Sequence, residues 1–268
     1  MKKLIAITLA LVMVLGLFAA CGNNASNNDN NGGNNASELQ TIEKGKLIMS
    51  TNAQFPPYEM TTDNGGFEGI DVEIAGKIAE KLGLELEILD MDFDAALLAV
   101  NEGKSDIVMA GVTVNEDRKL VMDFTDSYAT GKQVVIIMEG SDVTMDNLGE
   151  KMIGAQRGTT GYIYASDTPE HGGYGEDHVN AYNNGATAIR ALINGQVDAV
   201  IIDDAPAQAF VNANPELDLL EGEWVIEHYA IGCDKGNTQL VEAINGVLKE
   251  LIEDGTVQQI IDKYITAA

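Results

Sequence analysis

The sequence predicts an α/β fold built in two similar lobes. Three observations carry that expectation. From Lys46 onward, short apolar runs alternate with segments of helical period, the pattern of strand-helix-strand units that form a parallel sheet with helices on its faces. After KQVVIIM (132–138) the alternation restarts with the same rhythm. A 268-residue chain with 45% hydrophobic residues can also bury a core in each of two domains.

Taken in order, KLIMST (46–51) reads as a strand, DVEIAGKIAEKLG (71–83) as an amphipathic helix ending at Gly83, and LELEIL (84–89) as a strand. DFDAALLAVNEG (92–103) is a helix stopped by Gly103, and DIVMA (106–110) the next strand. In the second series KMIGA (151–155), VNAY (179–182) and DAVII (198–202) are strands; TTGYIYASD (159–167) starts a helix and GATAIRALINGQ (185–196) forms another. In both DIVMAGVT and DAVIIDDA an acidic residue begins a strand whose C-terminal end delivers polar loop residues, although the two series are no sequence repeat. Leu240, Val241, Ile244, Val247, Leu248, Leu251 and Ile252 recur with helical spacing and give one buried face. Gly255 ends that helix and TVQQIIDKYI (256–265) supplies the last.

Ahead of this body, Lys2 and Lys3 precede an apolar run from Leu4 to Ala20, the form of a secretory signal peptide. A membrane span would need about 20 apolar residues with polar anchors on both flanks. Phe18-Ala19-Ala20-Cys21 resembles a bacterial lipobox, which implies that Cys21 is lipidated and becomes the new N-terminus. GNNASNNDNNGGNNA (22–36) has no large apolar side chain and reads as a solvated tether. With 16 basic and 42 acidic residues, nucleic acid and anionic membrane surfaces are poor partners. Cys233 then has no disulfide partner and reads as a buried hydrophobe. His171, His178 and His228 lack the spacing of a metal site, so neither metal nor cofactor is expected.

In open α/β sheets, ligands bind beyond the carboxyl ends of strands. Gly111, Thr113 and Arg118 follow the strand ending at Ala110 and so project into that crevice. Arg118 offers a planar fork of donors for a carboxylate, the alternative being a surface pair with Glu116 or Asp117. In QRGTTG (156–161), Gly158 permits close backbone approach, while Thr159, Thr160 and Gly161 open a helix whose free N–H groups favour an anion. An ordinary Thr-capped helix is the alternative there. Asp203 could receive an ammonium group, or simply cap the helix that follows Pro206. Two anion-seeking elements and one cation-seeking element suit a zwitterion, of which a free α-amino acid is the simplest. No nucleophile and base stand out as a catalytic pair.

TNAQFPPYEM, GIDVEIAGKIAEKLG, AGVTVNEDRKLVMDFTDSY, QRGTTG and DAVIIDD occur in the order seen in polar amino-acid-binding proteins of ABC transporters. Over residues 41 to 268 the chain resembles this type II periplasmic solute-binding family. The resemblance implies two α/β lobes, with parallel or mixed sheets, joined by two crossing strands and closing over one ligand. It divides the chain into a signal peptide (1–20), lipidated cysteine and tether (21–40), a first lobe (41–132 and 229–268) and a second (133–228). It further implies that Arg118 grips the α-carboxylate with help from Thr113 and the Thr160 backbone. The Gly111 carbonyl and Asp203 take the α-ammonium, and Phe55 and Phe93 flank the ligand side chain. Asn52 stands where the family often has Asp, which leans toward an uncharged polar ligand, although Glu59 or Asp92 could reach inward. Arg157 has no assigned role. The implied protein is a monomeric, lipid-anchored, extracytoplasmic receptor that delivers a free amino acid to an ABC permease and is no enzyme. The alternatives are an enzyme on the same fold, of cyclohexadienyl dehydratase or lytic transglycosylase type, and a sensory domain, which would need a fused membrane span.

Overall fold

A computed structural model describes residues 39–220, 222 and 225–265. The expected signal peptide, Cys21 and the Asn-rich stretch 22–36 lie outside the described residues. The chain opens with β1 (Lys46–Thr51), β2 (Gln54–Phe55), β3 (Glu59–Thr61), β4 (Phe67–Glu68) and α1 (Ile70–Leu82). It continues through β5 (Glu85–Asp90), α2 (Phe93–Asn101), β6 (Ile107–Val108), α3 (Glu116–Val121) and the long β7 (Met122–Met138). Then follow β8 (Ile153–Gln156), α4 (Thr160–Ser166), β9 (Val179–Tyr182), α5 (Gly185–Ile193), β10 (Ala199–Asp203) and α6 (Asp204–Ala213). β11 (Leu217–Leu220), β12 (Ile226–Asp234), α7 (Thr238–Glu253) and α8 (Thr256–Tyr264) complete it.

Strands run in the order β5-β1-β6-β12-β7-β10-β8-β9, with β11 also on β7 and with β2, β3 and β4 forming a small separate sheet. β1 is parallel to β5 and β6, and β8 is parallel to β9 and β10, as the two strand-helix series require. The antiparallel members join them. β7 pairs with β12 up to Lys132 (Ile226↔Lys132) and with β10 from Gln133 (Asp203↔Gln133). One strand thus serves both halves of a two-lobed, mixed α/β fold. β12 returns the chain to β6, pairing Gly232 with Val108 and Cys233 with Ile107.

The helices sit where apolar stripes demand burial. α1 buries Ile70, Ile74 and Ile78, each worth about 1.5–3 kcal/mol when fully removed from water. Asp71 and Glu73 lie in its first turn, and Gly83 ends it in the left-handed conformation at φ 71°. α7 buries Leu240, Ile244, Val247, Leu248 and Leu251, but Ile252 is 45% exposed, because it turns off the stripe that faces the sheet. α6 begins at Asp204, so Pro206 lies inside its first turn, where the missing N–H leaves no intrahelical bond unmade. Cys233 is fully buried, and burial pushes its thiol up to about 12. None of the described helices is long and apolar enough to cross a membrane.

Candidate functional site

The loops at the carboxyl ends of β1, β6, β8 and β10 converge on a partly open space of about 310 Å³. Asn52, Phe55, Phe93 and Gly111 line it, as do Thr113, Arg118, Thr160 and Asp203. Every ligand-binding candidate from the sequence is therefore brought to one cavity. Glu59, Ala110, Gln156 and Thr159 complete the wall.

Arg118 reaches it from α3, whose N-terminus is fixed by the Asn115 side chain accepting the Arg118 backbone N–H at 2.8 Å. Its Nη1 donates to the Thr113 carbonyl at 2.7 Å and its Nη2 to the Gly158 carbonyl at 3.0 Å. The guanidinium also lies over the Phe93 ring, 5.4 Å from its centroid. These contacts leave further N–H donors of the fork uncommitted. Burial leaves Arg118 8% exposed and lowers its pKa, opposed by the charges of Glu227 and Asp203. The alternative of a surface pair fails: Glu116 is held by Lys119 at 2.8 Å, and Arg118 points inward.

Gly158 has φ +79° and Gly111 φ +56°, backbone states that favour glycine. Gly111 also passes so close to Phe55 that a Cβ there would come within 2.8 Å of its Cε1. Its N–H donates to Asp71 Oδ2 at 2.8 Å. Asp71 is fully buried, and desolvation pushes its carboxyl up to about 6 against the lowering effect of that N–H. Glu59 is equally buried, with neither carboxyl oxygen meeting a donor. Burial first, and then the charge of Asp71, hold it well above the usual carboxylate range.

Asp203 stands at the N-cap position of α6 but makes no capping bond; its carboxylate accepts the Tyr229 hydroxyl instead. Gly131 makes room for that contact, since a Cβ there would meet the Tyr229 hydroxyl at 2.2 Å. Burial and the charge of Glu227 push Asp203 up to about 8. Thr160 is the first residue of α4, while Thr159 caps it, accepting the Tyr162 N–H at 3.2 Å. Asn52 is committed to protein partners: Nδ2 donates to the Met91 carbonyl at 2.8 Å, and Oδ1 accepts Gln156 Nε2 at 2.9 Å. Phe55 stacks on Tyr58 with ring centroids 5.8 Å apart, which fixes its plane against the cavity. Asp92 is exposed and accepts from Asn183, away from the cavity wall. Arg157 is exposed as well.

Residues 47–267 match the model of the bacterial extracellular solute-binding proteins, family 3. The chain belongs to this family. It is 31% identical over 275 residues to a probable histidine-binding protein of Neisseria gonorrhoeae, covering 98% of this chain and 96% of the relative. The arginine-binding extracellular protein ArtP of Bacillus subtilis is 28% identical, with 99% of both chains covered. Among solved structures, an ancestral arginine-binding protein bound to glutamine superposes with a TM-score of 0.77 at 35% identity, covering 84% of this chain and all of the other (100%).

Against other expectations for a family 3 solute-binding protein, two residues escaped the sequence reading. Gln133 and Glu227 are buried just behind the cavity, and Glu227 Oε2 accepts from Thr113 Oγ1 at 2.8 Å and from Gln133 Nε2 at 3.0 Å. Both are polar residues among apolar neighbours, so only their polarity at a core position could have singled them out. No cluster of three or more His, Cys, Asp or Glu arranged to hold a metal ion occurs among the described residues.

Proposed function

We propose that this solute-binding protein captures a free amino acid outside the cytoplasm and hands it, chemically unchanged, to an ABC permease. Arg118 takes the α-carboxylate with Thr113 and the N-terminus of α4 at Thr160. Asp203 and the Gly111 carbonyl take the α-ammonium, and Phe55 and Phe93 flank the side chain. The observation that carries this reading is one buried guanidinium fork sharing a cavity with the buried carboxyl groups of Asp203 and Glu59. Uncommitted donors of the fork on one side and carboxyl groups on the other match the two ends of a zwitterion. Residues 41–132 with 229–268, and residues 133–228, are the lobes that close over it. Cys21 carries the lipid anchor of a monomeric protein.

The side-chain end of the cavity favours a cation. Asn52 has both ends of its amide satisfied, which removes the basis for preferring an uncharged ligand. Glu59 lines the cavity with Asp71 beside it, two buried carboxyl groups that a ligand cation would let ionise. The relatives named for histidine and arginine fit a cationic ligand, and the glutamine complex fits a smaller polar one. Calorimetry with L-arginine, L-citrulline and L-glutamine separates these readings. A charge-assisted bond to Glu59 should favour arginine over its uncharged isostere citrulline by at least about tenfold, and Glu59→Gln should erase the difference. Equal affinity for arginine and citrulline would overturn the cationic preference; no binding by any of the twenty amino acids would overturn the amino-acid reading.

A further inference from the structure

We infer that Glu227, hidden behind the cavity wall, is a positioning residue that couples ligand capture to closure of the two lobes; this rests on the solute-binding reading. Glu227 lies on β12, opposite Gly131 of β7, at the place where β7 changes partners from β12 to β10. One oxygen of its carboxylate joins both sides of the cleft. From the side of β6 it receives Thr113 Oγ1 at 2.8 Å, and the carbonyl of that same Thr113 holds Arg118 Nη1 at 2.7 Å. From the other side it receives Gln133 Nε2 at 3.0 Å, which also reaches Thr160 Oγ1 at 3.4 Å. The path Arg118, Thr113, Glu227, Gln133, Thr160 therefore ties the arginine to the helix that opens with Thr160 through a residue that does not line the cavity. Its two arms leave from opposite sides of the crossover, so a change in the angle between the lobes acts on it. Glu227 is 2% exposed, so no water replaces a lost arm at low cost. The ionisable groups that face Glu227 are Asp203 of β10, Arg118 of α3, Tyr229 of its own strand and Tyr164 of α4.

The test uses the mature chain, with L-arginine and L-glutamine as probes, and compares Glu227→Ala with Glu227→Gln. The alanine variant should bind at least about tenfold more weakly, and small-angle scattering should show less compaction at saturation than for the parent. The glutamine variant keeps an acceptor for both arms and should recover most of that affinity at about pH 8. Without the neighbouring negative charge, Asp203 ionises at lower pH, so binding by this variant should persist further into acid than binding by the parent. Should the alanine variant fail to fold, the pH profile of the glutamine variant decides. Parent-like affinity and compaction in Glu227→Ala, or a Glu227→Gln profile superimposing on that of the parent, would overturn the inference. A parent protein that binds neither probe nor any other of the twenty amino acids would instead overturn the amino-acid reading beneath it.

Discussion

Arg118 grips carbonyls from two different loops, so the group proposed to read the ligand carboxylate also bridges the cleft. Truncating one member of a desolvated charged pair typically costs about 2–5 kcal/mol. Arg118→Ala should therefore weaken the intact amino acid by at least about thirtyfold, yet weaken the decarboxylated amine far less. Equal losses for both in calorimetry would remove Arg118 from the carboxylate. Asp203 leads to a pH effect. Its carboxyl stands near 8 in the folded chain, above the ordinary 3.8, so its contribution to stability is fully present below about pH 4 and is lost as pH rises toward 8. Asp71, near 6, acts in the same direction. The ligand-free protein should consequently melt lower at about pH 8 than at about pH 5. The stabilisation by an ammonium ligand should grow over the same interval, because only ionised Asp203 pairs with it; thermal denaturation at both pH values checks this, and the opposite trend would detach Asp203 from the ammonium. At this scale the sequence exposed Arg118 and Asp203 because charged residues punctuate apolar runs. It did not reveal the commitment of Asn52 to Gln156 and Met91, since contacts between distant loops leave no periodic trace.

Helical elements were the legible ones. α1, α5 and α7 declare themselves by stripes with glycine or asparagine at their ends, and β1, β5, β8, β9 and β10 by runs between them. The small sheet of β2, β3 and β4 was not legible, because strands of two or three residues are too short for alternation to appear. α3 likewise holds only six residues, and β6 shrinks to Ile107–Val108 because the chain turns at once into the Gly111 loop. That loop carries its own prediction. Gly111→Ala places a Cβ at φ +56° and within 2.8 Å of Phe55 Cε1, so both backbone strain and displacement of a wall aromatic follow. A loss of about 1 kcal/mol or more in denaturant unfolding is expected, together with weaker ligand binding. Unchanged affinity would show that Phe55 does not need its present position.

The molecule carries a formal charge of −26, which keeps the folded body repelled from anionic lipid headgroups. The lipid anchor proposed at Cys21 would supply the membrane attachment that this charge does not. Cys21→Ala should move the protein from the membrane to the soluble fraction of lysed cells; retention on membranes after a high-salt wash would refute a lipid anchor. At this scale the sequence disclosed the two-lobed plan through its repeated rhythm, and the family resemblance supplied the two crossing strands; the register of β7 on β12 and then on β10 was not legible, because pairing partners are fixed in three dimensions. The return of β12 to β6 bears on how the protein comes into being. β1, β5 and β6 belong to a sheet that stays unfinished until residues 226–234 arrive, and the buried face of α1 waits for α7 and α8 beyond them. The strands β8, β9 and β10 have their partners close by in sequence. A chain emerging N-terminus first thus completes its middle before its beginning. For most of its synthesis or export, the stretch that supplies Arg118 is open to chaperones and proteases, and the binding cavity is among the last features to exist.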